Sequence, residues 1–578
     1  MRVKVRLVIL AGLLSAVALH SNNATKRGGS IVSATFSDIK TLNLFLATDS
    51  ETAIYSRLMN AGLTWLNPLT QKPEPSLAES WKISADEREI TFRLRKNVQW
   101  SDGRPFTAED VLFTMQVVND DNISSVASDS LRIDGQEIDW IALNSHSVKA
   151  TLPAKHVTFL RHLDPGTCPI IARHLWEKLY QAGEFSDAMR PAENGVAGLG
   201  PFRFKSYAPG QYLTFERNPY YWKVDAAGAH LPYLDQVSFM ILANQDQVGL
   251  RIENGEIDTY QSIRASDVDR LKQKSERLRL KVENVGPTLD MEGFFFNQNR
   301  GADPETKKPY VDAARLSWFM DTNFRRAVSH AIDRKALVNH ALFGHGIPAY
   351  SPESPSNQFW YNPEIARYDH DLQKAQVLLI KGGFVQKENE KGKPELYDRN
   401  GNRVRFSLYT NAGNSIRNTQ CLLIASDLAK LGMDVQYSAL EFATLLNRIN
   451  RTFEYDAVLI GLNRDDTDPG GRRNMLLSSG ALHFWWPRQE KPFTPWEKRI
   501  DELMGLVLSS SEASTRKKSY DEVQNILAEQ QPMIFTFHPY GFVCARKTIG
   551  NMKPTPFRHR TLWNAEELYW SETADKHR

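Results

Sequence analysis

The chain is poor in the residues that carry covalent or redox chemistry. Among 578 residues there are three cysteines, Cys168, Cys421 and Cys544, far apart and without a Cys-x-x-Cys pair. That spacing excludes a zinc ribbon, an iron–sulfur run and a dithiol redox motif. Two of the three could pair in an oxidising compartment, or all could be buried thiols; spacing does not choose between these. Also missing are a Gly-x-Ser-x-Gly elbow, a His-Glu-x-x-His pair and a phosphate loop ending in Gly-Lys-Ser/Thr. Gly195, Gly198 and Gly200 stand in the wrong order for a dinucleotide fingerprint. The fourteen histidines are scattered. His370, between Asp369 and Asp371, comes nearest to a metal cluster and reads instead as the capped start of a helix over 372–380. No catalytic group, cofactor or metal is expected.

Charge of one sign is lacking as well. Lys and Arg number 71 against 68 Asp and Glu, and Arg2, Lys4 and Arg6 alone account for the net +3. The balance therefore points to no nucleic-acid partner. Long apolar runs are confined to the start, where Leu7 to Leu19 follows those three basic residues, with small residues around Ala16-Val17-Ala18 near its end and again at Asn23-Ala24. This is the pattern of a secretory signal peptide over 1–24, too short to stay comfortably as a spanning helix. No Cys follows it to accept a lipid, so the mature chain is expected to lie free in a periplasm. Repeats, heptads and low-complexity tracts are absent. The length suggests three or four domains, and 41% hydrophobic with 24% charged residues is a globular composition.

What is present is strong local patterning. From Pro75 to Met115 a short strand ends at Ile83, Ala85 to Arg88 form a polar turn, and Ile90 to Arg95 alternate at period two. Asp102-Gly103 is a turn dipeptide, and Thr107 with Asp110 three residues on is an acidic capping box. Amphipathic helices are expected over 322–342, with Phe324, Ala327, Val328, Ala331, Ile332 and Leu337 inward, over 420–431, and over 515–531, stopped by Pro532. Tyr455 to Gly461 reads as a strand buried on both faces, and Met533 to Phe537 as another. A charged hairpin over 387–402 precedes a strand at 404–409, and the polar stretches 183–200 and 301–309 read as breaks. Helices and strands mixed in this way argue for α/β lobes.

The wording of several segments is also familiar. Leu77-Ala78-Glu79-Ser80-Trp81, the alternating strand after it, and Trp100-Ser101-Asp102-Gly103-Arg104-Pro105-Phe106-Thr107-Ala108-Glu109-Asp110-Val111 resemble the extracellular solute-binding proteins of family 5. Further along, in the family's order, come Gly198-Leu199-Gly200-Pro201-Phe202, Arg217-Asn218-Pro219-Tyr220-Tyr221-Trp222, Leu231-Pro232-Tyr233-Leu234-Asp235, Asn254-Gly255-Glu256-Ile257-Asp258 and Phe324 to Arg334. The resemblance implies an α/β, two-lobed periplasmic binding protein of type II, of the large class with an extra domain, its lobes hinge-linked around a ligand cleft. Lobe I would comprise 25–70, 196–290 and 532–578, the extra domain 71–195, and lobe II 291–531. It further implies a monomeric receptor that delivers peptides to the inner-membrane permease of an ABC importer, in an organism with an outer membrane. Oligosaccharides or chelated nickel are the alternative ligands within the fold. A secreted hydrolase or a chaperone-like binder would be the alternatives of another class.

The resemblance also proposes a site. Glu454 to Gly470 (EYDAVLIGLNRDDTDPG) is similar to the family's Trp-x-x-Asp-x-x-Asp-Pro segment, whose first Asp, matching Asp465, pairs with a ligand α-amino group. Arg464, Asp466 and Asp468 share that loop, and Leu462 stands where the family has Trp. A buried ammonium needs an opposite charge, so a carboxylate there is chemically apt. As a plain sequence the loop could equally be a solvated acidic turn; no Glu follows at the distance a calcium loop requires. Trp485 and Trp486, with Trp496 nearby, could offer ring faces to a ligand or fill the core. Asn43, with Asp38 and Thr48, lies in the segment matching the family's cleft-lining N-terminal stretch, and Phe294 to Phe296 read as a core strand.

Overall fold

The computed structural model describes residues 27–572, apart from 37, 40, 47–49, 124, 134, 187–195, 463–466 and 558. The chain forms two compact units: residues 1–284 with 542–578, and residues 285–541.

Among the described residues, two four-stranded sheets lie wholly within unit 1. In the first, β1 (Ser30–Thr35) is parallel to its neighbour, and the order runs β1, Gln236–Ile241, Tyr212–Arg217, Phe202–Ala208. Ile31, Tyr55, Phe202, Phe215 and Phe239 close the core on it. The second is an antiparallel sheet in which β2 (Ala78–Ile83) and β3 (Glu89–Leu94) form the expected hairpin. Strands Ser147–Thr151 and Asp139–Asn144 continue it. Ile90, Phe92 and Leu94 face a core of their own with Trp100 and Phe106, while Glu89 and Arg93 point to solvent. Gly103 takes φ +88°, and α1 (Ala108–Asn119) starts from a capping box of Thr107 and Asp110. This core also takes in Phe45, Ala61, Leu63, Ala197 and Leu199, so it reaches beyond the stretch 71–195 on both sides.

Unit 2 is built on one five-stranded sheet whose centre is covered on both sides. Its strands are β4 (Met291–Phe296), β5 (Arg405–Asn411), β6 (Asp434–Leu440), β7 (Ala457–Leu462) and β8 (Met533–Phe535), in the order β6–β5–β7–β4–β8. β5 is parallel to β6 and β7, and β4 is antiparallel to β7. Alternation sends Phe294, Phe296, Ala457 and Leu459 to one core, and Phe295, Val458 and Ile460 to the other. This accounts for the doubly apolar character of the 455–461 segment.

On the first face the stretch expected as one helix over 322–342 is two: α2 (Thr322–Ala331) and α3 (Arg334–Ala341). All six expected apolar residues are buried, yet Ile332 is extended and Asp333 caps α3, its carboxylate accepting from Ala336 N at 2.9 Å. Arg334 is also buried and donates to the carbonyls of Ser329, Ala349, Tyr368 and Phe535. Helix α4 (Ser415–Ala429) begins five residues before the expected 420, at its Asn414 cap. The second face carries α5 (Pro495–Ser509) and α6 (Ala513–Gln530). β8 stops at Phe535, and a separate strand, Phe537–Arg546, follows. Asp371, next to His370, caps Leu372–Lys381.

Candidate functional site

In a sheet with parallel strands, ligands approach the carboxyl ends, where loops and helix N-termini gather. In unit 2 that edge comprises Asn411, Leu440 and Leu462, together with the start of the antiparallel β4, since Met291 pairs with Leu462 and Glu292 with Gly461. A charged pair is built into it. Arg417, in the first turn of α4, donates from Nε to Glu292 at 2.9 and 3.2 Å and from Nη1 to Asn411 Oδ1 at 2.8 Å. Burial pushes the Glu292 carboxyl up, and the Arg417 charge offsets this in part. Gly461 makes room for the pair: a Cβ there would sit 2.2 Å from Arg417 Nη2 and 2.5 Å from Glu292 Oε1. Sequence reading missed both residues. A cation in the first turn of a helix opposes the helix dipole, and that local misfit was the available signal.

β7 leads from this edge into the acidic loop. Arg464, Asp465 and Asp466 lie outside the described residues, as does Thr48. Where the chain resumes it is buried and tightly held. Asp468, 4% exposed, accepts from Gly470 N at 2.9 Å and faces Arg516 Nη2 at 2.7 and 2.8 Å. Its charge thus has an internal counter-ion. Arg472 Nε meets Glu353 Oε1 at 2.7 Å, both of them buried, and Tyr520 Oη donates to the same oxygen at 2.7 Å. Asn357 Nδ2 reaches both Glu353 Oε2, at 2.7 Å, and the Thr467 carbonyl, at 2.8 Å.

The aromatic candidates sit at the opposite end of β7. Gln298 N, just past the end of β4 that pairs with Ala457, donates to Trp485 O at 2.7 Å. A six-residue strand separates that end from Leu462 by about 17 Å. Trp485 is buried in the unit 2 core and donates Nε1 to Glu497 at 3.2 Å. Trp486 is half-buried, with its ring 5.6 Å from that of Phe493. Trp485 and Trp486 therefore follow the end of β7 away from Leu462. In unit 1, Asn43 is buried and donates to Phe185 O at 3.2 Å, while Asp38 accepts from Tyr207 Oη and Gly210 N, both at 2.8 Å.

The fold has clear relatives among solved structures. NikA of Brucella suis, solved with Fe(III)-EDTA, superposes with a TM-score of 0.77 at 20% identity, over 93% of this chain and 99% of that one. The oligopeptide-binding protein AppA of Bacillus subtilis, solved with a nonapeptide, gives 0.71 at 24% identity, over 95% and 100%. The α/β fold of the type II periplasmic binding proteins, expected from the sequence, is the fold found. In sequence, AppA is 24% identical over 98% of this chain and 97% of its own. A protein of Deinococcus radiodurans named "Probable ABC transporter-binding protein" is 27% identical over 88% of this chain and 86% of its own. The model of the bacterial extracellular solute-binding proteins, family 5, matches residues 72–483, and the chain belongs to that family. Among the described residues no helix is long and apolar enough to cross a membrane.

Proposed function

We propose that this solute-binding protein is the peptide receptor of an ABC importer, working in the periplasm after loss of the 1–24 leader and passing its ligand to an inner-membrane permease as a monomer. The observation that carries the reading is end-to-end similarity to an oligopeptide-binding protein, 97% of whose length is matched. The role is capture and release without covalent chemistry. Asp465 takes the ligand α-amino group, with Arg464 and Asp466 beside it in the loop that leaves the carboxyl edge of β7. Asp468 serves the same loop from the protein side, through its pairing with Arg516. Residues 71–195, which supply most of one hydrophobic core of unit 1, form the extra domain of the large class.

Native mass spectrometry of gently purified protein, then denaturation, is expected to release a ladder of peptide masses; hexose-spaced masses or a nickel adduct would overturn the peptide reading. The anchor is tested by calorimetry with trialanine, a mixed-sequence nonapeptide and their N-acetyl forms. Acetylation, or Asp465→Ala, is expected to cost about 2–5 kcal/mol, as when one partner of a buried charge pair is removed. Equal affinity of free and acetylated peptides would remove Asp465 from that role.

A further inference from the structure

The antiparallel sheet of unit 1 ends on an open edge. Its outermost strand, Asp139–Asn144, has a neighbour on one side only, the strand Ser147–Thr151. Next to that neighbour, Leu152 N donates to Arg88 O and Leu94 N to His146 O, so its even-numbered residues bond towards β3. The odd-numbered Thr151 and Lys149 turn the other way, to Asp139 and Ile141 opposite them. Trp140 and Ala142 then turn their N–H and C=O groups outward. Asn119 Nδ2, 3.5 Å from Ile138 O, marks the same outward side. Among the described residues nothing pairs with the backbone of Trp140 or Ala142 along that edge. The strand carries neither Lys nor Pro to guard it, and Ile141 and Leu143 are exposed.

A groove of about 320 Å³ separates this strand from α1. Leu112, Met115, Ile138 and Trp140 make it apolar, while Glu137 and Asp139 also line it and are exposed. Neither carboxylate has an ion-pair partner among the described residues. The Trp140 ring rests on Phe92, with centroids 5.9 Å apart, and its indole N–H has no acceptor among the described residues. Residues 119–139 hold six Asp and Glu against Arg132 alone, so an occupant that complements the groove is basic as well as apolar.

We propose that this edge and groove form a second binding site, for an extended segment of another polypeptide in which apolar residues alternate with Lys or Arg. The segment adds a strand beside Asp139–Asn144, its backbone bonding to Trp140 and Ala142. Period two sends its apolar side chains into the groove and its basic ones to the face that carries Asp139.

The probe is acetyl-Lys-Val-Lys-Val-Lys-Val-amide, whose blocked N-terminus removes the α-amino group that the peptide reading needs. Calorimetry with the full chain is expected to show binding, and none for the counterpart with Glu in place of Lys. Glu137→Gln/Asp139→Asn should weaken binding about fivefold, the scale of exposed ion pairs. Ala142→Pro should weaken it about tenfold, because it removes an edge N–H at a position where a strand tolerates proline. Hydrogen–deuterium exchange should place the protection by the bound peptide at 139–144. No binding of the basic peptide, equal binding of the acidic one, or binding that protects other segments and is unchanged in both variants overturns the site. If Ala142→Pro does not fold, the double variant and the exchange map decide. None of these outcomes touches the peptide reading, which stands or falls on the released ligand and on free against acetylated peptides.

Discussion

Glu497 concentrates hydrogen bonds: Trp485 Nε1 at 3.2 Å and Gln489 Nε2 at 2.8 Å on one oxygen, and Thr494 N and Oγ1, both at 2.8 Å, on the other. His483 Nε2 lies 3.5 Å away. Burial alone would raise this carboxyl, but the nearby His483 ring and the hydrogen bonds from Gln489 and Thr494 outweigh it and hold the group at about 2. The sign follows. A carboxyl depressed in the folded state stabilises fully above its unfolded value near 4.5, and that contribution is lost as pH falls towards 2. It amounts to about 3 kcal/mol. Urea titrations between pH 5 and 2.5 should show this component in wild type and its absence in Glu497→Gln; parallel profiles would refute it. The same contacts say what Trp485 does in this structure: its indole N–H is spent on Glu497 and its ring on the core.

Among the elements, those with local signals came out as read. The Thr107–Asp110 box starts α1, and Thr107→Ala is expected to cost about 1 kcal/mol in denaturant unfolding, with Thr107→Ser recovering most of it. The β2–β3 hairpin, the doubly covered β7 and the inward face of α6 were equally legible from alternation and helical periodicity. The 322–342 stretch was read as one helix because its apolar spacing continues through the break. What ends α2 is Asp333, whose carboxylate caps α3 while its N–H donates to Asp427 Oδ2 at 3.0 Å. That partner lies 94 positions away, beyond the reach of a periodicity reading.

At the scale of the whole molecule, the three cysteines, open between a disulfide and free thiols, are free and buried in separate cores or strands. Burial pushes Cys168 and Cys544 up to about 12, and Cys421 up as well. Ellman titration should find no reactive thiol in native protein and three in denaturant, and reductant should leave the melting temperature unchanged. A thiol count of one after unfolding would mean a disulfide. The sequence reading puts its lobe boundaries at 290–291 and 531–532, whereas the chain passes from one unit to the other at 284–285 and 541–542, within the strands Leu280–Pro287 and Phe537–Arg546.

Caps, turns, strand alternation and the family wording all lie within windows of a few to a few dozen residues, so class and most elements could be read directly. Long-range pairing could not. Glu353 and Arg472 are 119 positions apart, Glu292 and Arg417 are 125, and neither member of either pair is marked by its neighbours as half of a buried ion pair. Such partners are chosen by packing, because a buried charge is tolerable only where the folded chain delivers its opposite, and that delivery depends on sheet order and not on local spacing.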